Sequence, residues 1–214
     1  LVHHPFRLLW ISGVFGDLGL VMYFMVHGWL ALSVSDSPFW VGATAGVNGL
    51  GLMVFSMFGG VLADRMRRRN LVLGGLLVRT VIALALATLI FSEHLQLWHV
   101  IAAAFLDGIV AAFIVPARMA LTLDLVGRER LLNATAANFA SMTIMGIVAP
   151  LVAGSVVSAF DIGWAYVIMG GAFLSSLGVL ITLRGIPRTE RSVSSPWQDL
   201  KQGIHYVFTA PTTR

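Results

Sequence analysis

Asp17 and Asp107 each stand inside a long run of apolar residues, in the related tripeptides Phe15-Gly16-Asp17 and Phe105-Leu106-Asp107, and Arg79 interrupts a third such run. An ionised group held away from water costs on the order of several kcal/mol unless it is paired, hydrated or neutralised by a proton. Carboxylates in that position therefore mark proton or substrate paths, or else serve as structural acceptors for a neighbouring helix. Arg79 needs a partner or a route to the headgroups, and Asp107 matches it in depth. His27 is placed either to titrate in a proton cycle or simply to be hydrogen-bonded, and Asn48 either to bond between helices or to line a cavity.

Two further stretches carry polar or special residues. "GGVLADRMRRRN", residues 59–70, gathers Gly60, Asp64, Arg65, Arg67, Arg68 and Arg69 between apolar runs. "MGIVAPLVAG", residues 145–154, sets Gly146, Pro150 and Gly154 on one i, i+4 row with Ala149 and Ala153 beside it. Small side chains let helices approach closely, and an internal proline kinks them. Chemistry of other kinds lacks its residues. Cysteine is absent, which excludes disulfides, thiolate metal sites and cysteine nucleophiles. No metal-ligand cluster, nucleophile elbow or phosphate loop is present. Asp107-Gly108 and Ala117-Arg118 lack the spacing and the further aspartates of a lipid phosphotransferase. The expectation is a protein that is not an enzyme and takes no cofactor and no metal.

The elements that must position these residues are set by hydropathy. Of the 214 residues 57% are apolar and 11% charged, with a mean hydropathy of +0.86, far above soluble domains. The net charge of +4 lies in short gaps between apolar runs rather than on one polar face, so it reads as membrane topology and not as a nucleic-acid footprint. Breakers divide the chain into six candidate spans, roughly 6–34, 38–62, 70–91, 97–120, 130–158 and 161–184, each long enough to cross about 30 Å of hydrocarbon. The fold class expected is an all-α membrane protein in a lipid bilayer, with one six-helix bundle over 1–186. Arg7, Arg65, Arg67–Arg69, Arg118, Arg128, Arg130 and the basic residues from Arg184 onward fall in gaps on one side. The gaps "SVSDSP", "SEHLQLWH" and "SAFDIGW" contain no lysine or arginine. The positive-inside rule then puts both termini in the cytoplasm. Residues 187–214 read as a polar linker ending in an amphipathic helix, capped by Ser195 and Pro196 with Trp197, Leu200, Ile204 and Phe208 on one face. A start at Leu1 and an end at Arg214 read as a fragment.

"GGVLADRMRRRN" resembles the signature loop of the major facilitator superfamily, Gly-x-Leu-Ala-Asp-Arg-x-Gly-Arg-Arg, through Gly60, Leu62, Ala63, Asp64, Arg65, Arg68 and Arg69, with Arg67 where glycine is usual. "PARMALTLDLVGRERLLNATAAN" (116–138) and "FRLLWISGVFGDLG" are similar to segments of the branch that includes enterobactin and macrolide exporters. The resemblance implies half of a twelve-helix transporter, built from two inverted three-helix repeats. Its expected partners are protons, a small-molecule substrate and a missing carboxy-terminal six-helix half. It implies a proton-coupled exporter of an amphipathic molecule, drug or siderophore in type, in the cell inner membrane. It also implies that spans one and four line the cavity. In such a loop the aspartate, Asp64, faces a helix of the other half, and the arginine, Arg68, pairs with an acid near the end of span four, Asp124 or Glu129. The 145–154 stretch resembles a degenerate antiporter motif, with Met145, Ala149 and Ala153 in place of glycines. Another antiporter signature, an arginine in span four, is replaced by Ala104. The alternative from a different class is a non-transporting membrane scaffold or receptor; a second six-span block in the same polypeptide favours the carrier, and a natural stop near 214 favours the scaffold.

Overall fold

The computed structural model describes residues 4–183, without the side chains of residues 4, 61 and 63–65. The linker and amphipathic helix expected over 187–214 lie outside the described residues, as do the side chains of Asp64 and Arg65. Six helices follow one another: α1 (His4–Ser35), α2 (Pro38–Arg65), α3 (Arg68–Phe91), α4 (Leu97–Val126), α5 (Leu131–Ala159) and α6 (Ile162–Thr182). All six are long and apolar enough to cross a membrane. A single 3₁₀ turn, Arg128–Arg130, precedes α5. No strand occurs among the described residues.

Local chemistry sets the helix ends. Pro38 occupies the opening of α2, where its missing N–H is no loss. Met66 and Arg67 turn extended and separate α2 from α3. Gln96 and His99 form a reciprocal capping box at the start of α4. Gly127 follows α4 with φ of 72°, a conformation that a side chain would strain. The Asp161 carboxylate accepts the Gly163 N–H at 2.8 Å and caps α6. Pro116 does not end α4, which continues past the expected boundary at 120 to Val126.

The helices pair in a repeating scheme. α2 packs on α4 as α5 packs on α1, α3 on α4 as α6 on α1, and α3 meets α6 directly. Exchanging α1–α3 for α4–α6 reproduces these pairings, the pattern of two three-helix repeats. The core lies between α1, α3, α4 and α6. Met22, Val26 and Leu30 on α1 face Tyr166, Met169 and Phe173 on α6, at the spacing of one helix face. The flanks are bare by contrast. Of the most apolar stretch of each span, 11% is buried in α2 and 17% in α5, against 39–50% in the other four helices.

The closest backbone approach is between α2 and α4. A Cβ at Gly51 would lie 2.6 Å from the Phe105 carbonyl oxygen, and Cβ atoms at Gly59 and Gly108 would press on the carbonyls of Ala112 and Asn48. The row expected for such contact, Gly146, Pro150 and Gly154, does not supply it in the described bundle. Nothing lies within 4 Å of a Cβ built at Gly146 or Gly154. The α5 residues buried against the bundle are Ala134, Ser141, Ala149 and Ala153. One residue step turns a helix by about 100°, so the alanine row faces inward and the glycine row outward.

Candidate functional site

Three ion pairs stand out among the described residues, and each has one member on α4. In the first, Arg118 Nη1 donates to Asp17 Oδ1 at 2.8 Å and Nη2 lies 3.5 Å from Oδ2. The Ser141 hydroxyl donates to the same Oδ2 at 3.1 Å. Asp17 is 6% exposed. Arg118 belongs on sequence to the rim, but α4 carries it eight residues inside its last residue, Val126. From there the long side chain reaches across to α1. Gly13 provides the passage: a Cβ there would fall 3.1 Å from the guanidinium carbon.

In the second pair, Arg79 Nε donates to Asp107 Oδ1 at 2.8 Å. Asn48 donates its amide to Asp107 Oδ2 at 3.2 Å and to the Ala104 carbonyl at 3.0 Å. Asp107 is 3% and Arg79 7% exposed. The guanidinium also lies 5.9 Å from the Phe173 ring centroid, within cation–π range. The two carboxylates thus occupy matching positions in the two repeats. Each takes one bond from the flanking helix of its neighbourhood, Ser141 of α5 or Asn48 of α2. The arginines break the match, one coming from α4 and the other from α3.

A small cavity joins the two pairs. Its lining includes Ser12, Gly16, Asp17, Arg79, Arg118 and Ser176, and its internal space is about 30 Å³, room for roughly one or two water molecules. Ser12 and Ser176 close one wall by exchanging bonds with each other's backbone carbonyls at 2.9 and 2.7 Å.

His27 sits in a third buried group. Its Nε2 lies 3.1 Å from the Val100 carbonyl and its Nδ1 2.9 Å from the Tyr166 hydroxyl. A carbonyl only accepts, so in the neutral ring Nε2 carries the proton and Nδ1 accepts from Tyr166. Tyr23 stacks on His27 at 4.6 Å. Its hydroxyl is the one fully enclosed side-chain polar atom without a partner among the described residues.

The third ion pair is at the α2–α3 end of the bundle. Arg68 Nη1 donates to Asp124 Oδ1 at 2.6 Å and to the Ala120 carbonyl at 3.2 Å. Of the two acids expected as its partner, Asp124 is the one in contact; Glu129 lies exposed in the 3₁₀ turn. Arg69 donates to the carbonyls of Leu180 and Ile181 at 3.3 and 2.7 Å, so it closes the end of α6. A Cβ at Gly60 would meet nothing within 4 Å.

Sequence reasoning singled out His27 but missed its partners Tyr23 and Tyr166, and it missed the part that Arg118, Ser141 and Gly13 play at Asp17. Only Arg118 carried a signal, since it already fell inside the expected fourth span, at a depth from which its side chain reaches Asp17.

Comparison with known proteins gives this arrangement its family. The family model described as "transmembrane secretion effector" matches residues 1–210. The chain is similar to the enterobactin exporter EntS of Shigella flexneri, with 24% identity over 212 residues that cover 98% of this chain and 51% of the relative. The EntS proteins of Escherichia coli O1:K1 and Shigella boydii serotype 18 are also 24% identical, over 98% of this chain and 50% of theirs. The chain therefore spans about half the length of the curated relatives it matches. Six apolar helices paired as two three-helix repeats and a family match along nearly the whole sequence agree: the chain is a multi-pass membrane protein that belongs to the transmembrane secretion effector family of the major facilitator superfamily.

Proposed function

We propose that this chain is the amino-terminal half of a proton-coupled exporter for an amphipathic small molecule. The observation that carries the reading is the Asp17–Arg118–Ser141 cluster, a buried carboxylate held between α1, α4 and α5 at the edge of a cavity. A proton on Asp17 removes the charge that holds Arg118, and this loosens the tie between the two repeats. Proton binding is thereby linked to the relative position of α1 and α4, as alternating access requires. The names of the relatives support export of a siderophore-like molecule. The bare faces of α2 and α5 suit coverage by a second six-helix half. The absence of basic residues from alternate gaps supports cytoplasmic termini and an inner-membrane location.

The α2–α3 end acts as a latch in this reading. With side-chain exposures of 11% and 15%, the Arg68–Asp124 pair contributes on the order of 1 kcal/mol. That biases a near-balanced equilibrium several-fold without holding the fold together.

One transport experiment tests these points on the full-length polypeptide that carries this sequence. Asp17→Asn should abolish efflux driven by a pH gradient while membrane insertion is retained. Arg68→Lys, which keeps the charge but loses the planar fork, should slow efflux. In the same cells an impermeant thiol reagent added outside should label a cysteine placed at Ser35 and leave one at Asn70 unlabelled. Wild-type efflux by Asp17→Asn at every pH would end the proton-coupled reading, and the reverse labelling pattern would end the orientation.

A further inference from the structure

Each of the four carboxylate oxygens at the two buried pairs already has a donor. Asp17 takes bonds from Arg118 and Ser141, and Asp107 from Arg79 and Asn48. Arg79 is different. Its Nε is used by Asp107, but neither terminal amino group has an acceptor among the described residues. Those two groups also retain contact with open space, because the Tyr23 hydroxyl is the one fully enclosed partnerless polar atom. Arg79 is one of the residues that line the cavity, together with Asp17 and Arg118. Phe173 lies beside the guanidinium, and Leu20, Leu76 and Ile114 line the same wall. An arginine 93% buried, held from behind by a carboxylate and presenting two unused amino groups, forms a rigid fork for an oxygen acceptor.

We propose that Arg79 is the recognition group for the transported molecule and that this molecule is an amphipathic organic anion, whose carboxylate or phenolate oxygen meets the Arg79 fork while its apolar body lies against the leucines and Phe173. The inference rests on the transport reading above and supplies its substrate class. A cationic molecule would find both carboxylates already paired with arginines and would lie beside the positive charges of Arg79 and Arg118. The present cavity holds water-sized groups only, so the anion enters when α1, α3 and α4 separate during the transport cycle.

The test uses the full-length protein in nanodiscs of zwitterionic lipid and equilibrium binding of three tritiated probes with one aromatic body: 2-naphthoate, 2-naphthamide and 2-naphthylmethylammonium. Wild-type protein should bind the anion about tenfold more tightly than the amide, as expected for a charge-assisted bidentate contact. The cation should bind more weakly than the amide. Arg79→Gln combined with Asp107→Asn keeps the site neutral and hydrogen-bonded, and should bring anion and amide within about twofold of each other. If that double variant does not elute as a monodisperse species, Arg79→Lys serves instead; its loss of the fork should reduce the anion preference with charge retained. Equal binding of anion and amide by wild-type protein, preference for the cation, failure to bind the anion, or an undiminished anion preference in the variants would each overturn the proposal. Failure of the transport reading looks different. Wild-type efflux by Asp17→Asn at every pH would remove proton coupling and leave the anion preference of the nanodisc protein where it is.

Discussion

Asp107→Ala, with Arg79 left in place, lowers the stability of the full-length protein by about 3–5 kcal/mol, the cost of leaving a buried guanidinium without its counter-charge. Arg79 is 7% exposed and its other contact is the Phe173 ring, and Asp17, the other acid on its cavity, is already held by Arg118 and Ser141. Asn48 loses less, because its amide keeps the Ala104 carbonyl. Removing both charges is a different matter. Arg79→Met with Asp107→Leu takes away the pair and its desolvation cost together, and should recover most of the loss. The measurement is unfolding in mixed micelles for Asp107→Leu, Arg79→Met, the double variant and the parent, read as a double-mutant cycle. A double variant no more stable than Asp107→Leu alone would mean that the two residues do not depend on each other.

Gly108→Val should cost about 3 kcal/mol or prevent assembly, since the added Cβ presses on the Asn48 carbonyl, a backbone atom that cannot rotate aside. α2 and α4 would have to separate along the whole seam that Gly51, Gly59 and Gly108 form. Asn48 would also be drawn away from Asp107, so the same substitution should weaken the charged site. Gly74→Val on α3 is the control, because a Cβ there meets nothing within 4 Å. Thermal inactivation of the two variants in parallel decides the point. Equal melting of both would show that the α2–α4 seam has slack.

Much of this arrangement was legible in the sequence because the membrane imposes simple rules. Long apolar runs separated by charged gaps can only be spans, and a lone Arg79 at the depth of Asp107 has few places to find a counter-charge. The Arg68 to Asp124 contact was legible through the resemblance of the loop. Other features depend on rotation about helix axes, which apolar runs do not encode. α5 is nearly apolar all round, so nothing in its pattern shows whether Gly146 and Gly154 or Ala149 and Ala153 face the bundle. Ser141 is one small polar residue among several in α5. Its bond to Asp17 follows from that same unreadable rotation. Arg118 was misplaced for another reason. Charge counting assigns every arginine near a span end to the rim, yet Pro116 leaves α4 unbroken and the helix runs on to Val126.

The position of α4 in all three ion pairs bears on how the chain is made. Asp17, Arg68 and Arg79 all precede α4 in the chain, and their partners Arg118, Asp124 and Asp107 all lie on it. During synthesis the first three helices therefore enter the bilayer before the α4 residues that pair with Asp17, Arg68 and Arg79 in the folded bundle have been made. These three contacts share one moment of completion, the arrival of the fourth segment.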